Sequence, residues 1–485
     1  MKCLKYIWIF LAVALLVGGL TVSAGAQGES LSLAASPNLS RLVDRNENTR
    51  AVTGEVTVNS ATPMEGLYLL FFDTPTDFTL IVDGAECKIR AQFLREYVDL
   101  VYLFGEGKGS VTLRFDAQVS ILEIYAFAGE TPSWVQKWQE PCGKADLCLM
   151  TTHADDEQLF FAGVLPYYAG ERDLAVQVIY FTDHKNEPMR RHELLRGLWT
   201  VGVKNYPVIS PFPDLYSESE AAAAGQFASR GFSREAVVSF QVEMLRRFQP
   251  LVVVGHDPLG EYGHGQHRLN SATLQEAVNI AGDAASFPES AEIYGVWEVP
   301  KTYLHLYPEQ PIVLNWDIPL AAFGGKTAFQ VTKEGFACHD SQQYTWFRRW
   351  LNGNAGEITA ASQIKTHSPC QYGLYLSRVG EDVSKNDFFE NLKSRKEQAE
   401  ELARQRFAAL EEEKRQKEEA ERLAREESER LEKARLAALA EEEARVMREL
   451  EAKQRKMMIL LSVLVLLTLS IIVSFLLQIR RRRRR

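Results

Sequence analysis

Four titratable side chains, His153, Asp155, Asp156 and Glu157, fall within five residues at the end of the stretch ADLCLMTTHADDE, 145–157. Groups of this kind crowded into one turn repel each other unless something positive sits among them, and a divalent metal is the economical answer. A second cluster, GHDPLGEYGHGQH at 255–267, holds three of the 9 histidines: His256, His264 and His267. His264 and His267 are three apart, so a helical turn brings both to one face. His153, Asp156 and His267 would then offer two imidazoles and a carboxylate, with one position open for water. That is the donor set of a catalytic rather than a structural zinc site. A lone His-x-x-Asp is more often a loop-and-cap feature. Two clusters, each directly after an apolar run, reverse that balance.

Those apolar runs are the elements that must position the clusters. Leu147–Thr151 and Leu251–Gly255 have strand length and break abruptly into polar sequence, as buried parallel strands do. In open α/β sheets chemistry collects just past the carboxyl ends of strands. Leu174–Phe181 reads as a further strand. Gln158–Ala169, Arg190–Val203 and Ala222–Phe248 read as helices, with Gly202 where one would stop. The alternation predicts a Rossmann-like parallel sheet covered by helices over residues 132–387. Residues 27–131 look different: short alternating runs at 52–58, 68–72, 79–82, 98–104, 110–115 and 120–126 predict a β-sandwich. LVDRNENT at 42–49 and ILEIY at 121–125 resemble the discoidin-like, galactose-binding-like sandwich. Sugar binding and a plain spacer role both stay open for this module.

At 485 residues and 46% hydrophobic content the chain is too long for one domain. A net charge of -9 gives no basis for nucleic-acid binding. Residues 1–26 read as a secretory signal: Lys2 and Lys5, an apolar core at 7–20, then Ala24-Gly25-Ala26. Removing Cys3 with it leaves five cysteines, an odd, sparse set that makes no disulfide scaffold. Cys148 is expected to be a buried thiol, and Cys338 with Cys370 is a candidate bridge. Residues 388–456 are rich in strong helix formers and predict a charged stalk, with some 60 residues making a rod of roughly 90 Å. Its leucines keep no steady heptad, so a self-associating coiled coil and a single charged helix both remain open. Residues 457–479 carry no charge and are long enough to cross a bilayer. The poly-arginine tail at 480–485 then stays in the cytoplasm by the positive-inside rule. These features predict a single-pass cell-membrane protein with its folded domains outside.

HADDE at 153–157 and GHGQH at 263–267 resemble the two signatures, HPDDE and GHxxH, of the PIG-L or LmbE-like family of zinc-dependent de-N-acetylases. Arg190-x-x-Glu193 leading to Gly202-Val203, and His339-Asp-Ser-Gln342, resemble its intervening helix and a later segment. The likeness runs from about 145 to 343 with the order preserved. It implies His153, Asp156 and His267 as zinc ligands, although another divalent metal would meet the same donors. Asp155 would be the general base, His264 the oxyanion stabiliser, and Arg190 and His339 substrate contacts. Glu157, Gln266 and Asp257 would support them, Glu157 either behind the ligands or as a helix cap. Zinc lowers the pKa of its bound water from 15.7 toward roughly 7, which the cleavage of an unreactive amide requires.

Two positions depart from the family pattern. Ala154 replaces a proline, which is expected to loosen the ligand turn. Gln266 replaces an acidic residue, which leaves the charge on His264 to depend on Asp257 or Glu261. His184, His192, His305 and His367 read as ordinary surface or core histidines. The expected activity is deacetylation of N-acetylated amino sugars, in a surface glycan or glycoconjugate. The alternative is a non-catalytic carbohydrate-binding surface protein that keeps the hydrolase domain as a scaffold. A structural stalk protein explains the tail but leaves both clusters idle.

Overall fold

The computed structural model describes residues 29–36 and 38–483. The signal-like segment 1–26 and the last two arginines lie outside the described residues. The chain divides into two compact units, one ending at Lys396 and the other beginning at Glu397.

Within the first unit, residues up to Phe127 form an antiparallel β-domain around its own core. Its strands are β1 (Ala34–Ala35), β2 (Ala51–Met64), β3 (Gly66–Phe71), β4 (Phe78–Val82), β5 (Ala85–Ile89), β6 (Arg95–Asp99) and β7 (Lys108–Phe127). β7 is the spine. It pairs with β2, with β4 toward its amino end and with β3 toward its carboxyl end. The two strands expected at 110–115 and 120–126 are therefore one. The run expected as a strand at 98–104 ends at Asp99, whose carboxylate accepts from Tyr102 N and caps helix α1 (Leu100–Phe104). Leu69, Phe71, Phe78, Leu113 and Ile121 meet in the core.

The second sheet runs β10 (Val208–Ile209), β9 (Val176–Tyr180), β8 (Leu147–Thr151), β11 (Val252–Gly255), β12 (Lys301–His305), β14 (Gln371–Ser377) and β13 (Pro311–Val313). The first five are parallel. β14 runs antiparallel to both of its neighbours, β12 and β13, so the sheet is mixed rather than wholly parallel. Every residue of β8 and β11 is buried, which explains why both read as unbroken apolar runs. From β8 the chain goes first to β9 and later to β11 on the other side. The strand order thus reverses between β8 and β11, opening a crevice at their carboxyl ends.

Helices α2 (Asp156–Leu159), α3 (Pro188–Thr200), α4 (Glu220–Ala228), α5 (Arg234–Phe248), α6 (Gly265–Ile280), α7 (Pro288–Tyr294), α8 (Ala328–Phe336) and α9 (Thr345–Asn352) connect and cover the sheet. The helix expected over 158–169 is only one turn at α2, followed by turns and a wider helical turn at Pro166–Glu171. Gly163, at φ +89, breaks the run where Trp316 packs against it. The helix expected over 222–248 is two, parted at Gly231 (φ +87), with Ser233 capping the second. The fold continues beyond Asp387, because Phe388 and Phe389 are buried in the same core. The five described cysteines are free, Cys338 and Cys370 included. Helix α10 (Arg395–Arg482) is a single helix of 88 residues with no buried side chain, and its apolar stretch is long enough to cross a membrane.

Candidate metal centre and active site

β8 delivers His153, Asp155 and Asp156, and β11 leads into the loop that carries His256, Glu261 and His264. The loop ends at α6, where the His264 side chain accepts from Gln266 N and His267 lies in the first turn. The Nδ1 atom of His153, the Oδ2 atom of Asp156 and the Nε2 atom of His267 are each 3.1 Å from the other two. Tetrahedral donors bonded to zinc at about 2.0–2.2 Å stand roughly 3.3–3.6 Å apart, so the triangle needs only a few tenths of an ångström of expansion to take such an ion.

Hydrogen bonding fixes which nitrogens are free to act as donors. Gln266 donates through Nε2 to Pro213 O at 2.8 Å and accepts at Oε1 from Leu215 N at 3.2 Å. Its amide oxygen therefore faces His153 Nε2, 3.0 Å away, and places the ring proton there. Nδ1 of His153 is left with a lone pair toward the triangle. Glu261 does the same for His267, its Oε2 lying 2.8 Å from Nδ1. His256 Nε2 comes within 3.6 Å of Asp156 but is already occupied by Thr152 N at 3.0 Å, and its Nδ1 by Glu261 at 2.7 Å. His264 accepts at Nδ1 from Gln266 N, which leaves an N–H at Nε2. Two overlapping groups lie close enough to share an ion, His153 with His264 and His267, and Asp156 with His256 and His267. Setting aside His256, whose ring nitrogens are both engaged, and His264, whose Nε2 carries its proton, leaves His153, Asp156 and His267 facing one another.

Burial and neighbouring charges set the protonation of each group in the site. Burial opposes ionisation of Asp156, but His267 and His153 hold it well below the usual carboxylate range. Burial likewise opposes charge on His267, yet Asp156 and Glu261 lift it to about 10, so an ion takes the Nε2 lone pair by displacing a proton. Burial and the adjacent Asp156 push Asp155 up to about 7, against the pull of Arg190. Burial, with His153 and His267 alongside, drives His264 down to about 2, so its ring is neutral. Asp155 also sits at φ 121, a conformation that costs on the order of 1–3 kcal/mol in a side-chain-bearing residue. Glu157 braces it, accepting from Asp155 N at 3.0 Å.

Several expected roles change. Gln266 holds His153, not His264. Asp257 accepts from Leu259 N within its own loop, and Glu261 is occupied by His256, His267 and His305, so neither charges His264. Glu157 supports Asp155 rather than simply capping α2. His339 is fully buried with Nε2 3.1 Å from Glu157, a bracing position instead of a substrate contact. Arg190 does line the cleft, a space of about 130 Å³ shared with His153, Asp155, Asp156 and His264. Its guanidinium donates to Asp214 Oδ2 at 2.7 Å and to Ala154 O at 2.9 Å. Ala154 does not loosen the turn, because its N–H donates to His184 Nε2 at 3.2 Å.

His184 and His305 are not ordinary histidines. His184 links the ligand turn to Asp214, 3.3 Å away, and His305 Nδ1 lies 2.6 Å from Glu261 Oε1. Asp214 had no signal in its loop, whereas Glu261 lay inside the cluster already singled out. A larger cleft of about 320 Å³, beside the amino end of β9, contains neither cluster.

No family model matches the chain. It is 36% identical over 150 residues to a 1D-myo-inositol 2-acetamido-2-deoxy-alpha-D-glucopyranoside deacetylase of Saccharopolyspora erythraea, covering 30% of this chain and 52% of that one. The corresponding deacetylase of Rhodococcus jostii is 28% identical over 178 residues, covering 32% and 60%. The chain thus spans about half the length of the curated relatives it matches. The N,N'-diacetylchitobiose deacetylase of Pyrococcus horikoshii aligns at 17% identity and a TM-score of 0.34, over 49% of this chain and 86% of that one. The sequence relatives bear out the resemblance to the PIG-L or LmbE-like family.

Proposed function

We propose that the chain, as a relative of the PIG-L or LmbE-like de-N-acetylases, is a zinc-dependent hydrolase that removes the acetyl group from an N-acetylglucosamine-type sugar. The observation that carries this reading is the triangle of His153, Asp156 and His267, with both imidazole lone pairs turned inward by Gln266 and Glu261. Those three residues would hold the ion. When bound, it supplies positive charge that acidifies water and polarises the amide carbonyl. Asp155 takes the proton from the attacking water and returns it to the departing amine. His264, neutral and carrying its proton at Nε2, donates to the carbonyl oxygen as negative charge develops there. Arg190, fixed by Asp214 and Ala154, offers the sugar a rigid donor at the cleft.

In this reading residues 457–479 cross the cell membrane, the arginines from 480 onward stay on the cytoplasmic side, and the enzyme works outside. The β-domain would be a discoidin-like accessory module. The test is acetate release by the full-length protein from N-acetylglucosamine and its oligomers, after metal removal and again with zinc restored. Zinc-dependent release is expected. A zinc-loaded protein that frees no acetate from any of them overturns the reading.

A further inference from the structure

A run of aromatic rings leads outward from the donor triangle. The His264 and Tyr262 centroids are 5.6 Å apart, Tyr262 and Trp346 5.4 Å, Trp346 and Phe347 4.8 Å, and Phe347 and Tyr344 6.3 Å. Tyr262 and Phe347 line the same cleft as His153 and Asp155. Tyr344 is 59% exposed and Trp346 47%. Exposed rings gathered in one patch mark a binding surface more often than chance would place them there.

These rings are held in place rather than left over. Helix α9 is pinned by Leu351, which is fully buried, and by Trp350 Nε1 donating to Thr366 O at 2.9 Å. Tyr262 takes a left-handed backbone conformation at φ 44, and its N–H donates to His367 Nε2 at 3.1 Å. That costs strain which a purely packed residue would not need.

The chemistry of the patch selects its occupant. Flat exposed rings beside the exposed polar side chains of Arg348 and Arg349 suit a pyranose, which has an apolar C–H face and hydroxyls around its edge. An acyl chain would instead be favoured by an enclosed apolar slot. We propose that Tyr262, Trp346 and Tyr344 form a glycan-binding subsite, so that the substrate is an oligosaccharide with sugars beyond the one that loses its acetyl group. This inference rests on the deacetylase reading and adds the substrate's extent.

The experiment compares kcat/KM of the zinc-loaded full-length protein for N-acetylglucosamine and its tetramer, in wild type, Trp346→Ala and Tyr344→Ala. The tetramer-to-monomer ratio is expected to fall roughly tenfold in Trp346→Ala, the loss of one good ring contact. A second measurement titrates the tetramer into Asp155→Asn with and without Trp346→Ala, where weaker binding in the double variant is expected. Turnover that is independent of chain length overturns the subsite and leaves the deacetylase reading standing. If no length is turned over, the deacetylase reading falls and the titration alone decides the subsite. Tetramer binding unchanged by Trp346→Ala, or an acyl ligand bound there in its place, overturns it.

Discussion

The backbone amide of Ala154 donates to Nε2 of His184 across 3.2 Å, inside the turn that presents His153 and Asp156, two corners of the donor triangle. A proline at 154 has no N–H to give, so this turn gains its order from a hydrogen bond where a ring would otherwise impose it. The same residue's carbonyl accepts from Arg190, and both His184 and Arg190 reach Asp214. Ala154→Pro is therefore expected to destabilise the protein by about 1–3 kcal/mol, the cost of an orphaned buried acceptor. Urea denaturation checks it; a gain in stability would mean that ring rigidity outweighs the bond.

Glu261 accepts from three imidazoles and the Asp257 amide. Through His267 it fixes which nitrogen faces the triangle. Glu261→Gln is expected to weaken metal affinity by about 10–100-fold, as losses behind a ligand typically do. Chelator competition measures this directly, and unchanged affinity would remove Glu261 from the metal's support.

Asp155 touches none of the three donor atoms of the triangle, whereas His267 supplies one of them. Asp155→Asn should keep its metal and lose on the order of 10²–10⁴ in kcat. His267→Ala should lose metal and turnover together. Metal analysis alongside acetate release separates the two, and full activity in Asp155→Asn would show that the base lies elsewhere.

The parts of the site that could be read in the sequence were those packed into local clusters. Leu147–Thr151 and Val252–Gly255 were legible because strands buried on both faces read as near-continuous apolar runs. Their ends carried the His and Asp groups within a few residues. What stayed hidden depends on distance along the chain. Gln266 is next-but-one to His264, yet the first turn of α6 points its amide at His153, 113 residues away. Asp214 sits in a loop without periodicity, and His305 reaches Glu261 from the end of β12, 44 residues on. The Ala-rich start of the 222–248 run has strong helix propensity, which masked the break at Gly231.

His192 gives the fold a pH dependence away from the metal site. It is fully buried on α3, and burial, with the positive charges of Arg95, Arg191 and Arg196, drives its pKa from 6.5 down to about 3. Between those values the unfolded chain takes up a proton that the folded one refuses, so stability falls as pH drops below 6.5. Glu96 leans the other way. Burial raises it to about 7, so its contribution is fully present below 4.5 and is lost as pH rises through 7. Replacing His192 by Asn removes the first effect and keeps the second. Relative to wild type, the variant should gain about 1.4 kcal/mol for each pH unit below 6.5. Denaturation midpoints at pH 7, 6 and 5 read this slope. Parallel curves for the two proteins would mean that His192 is already charged in the folded state.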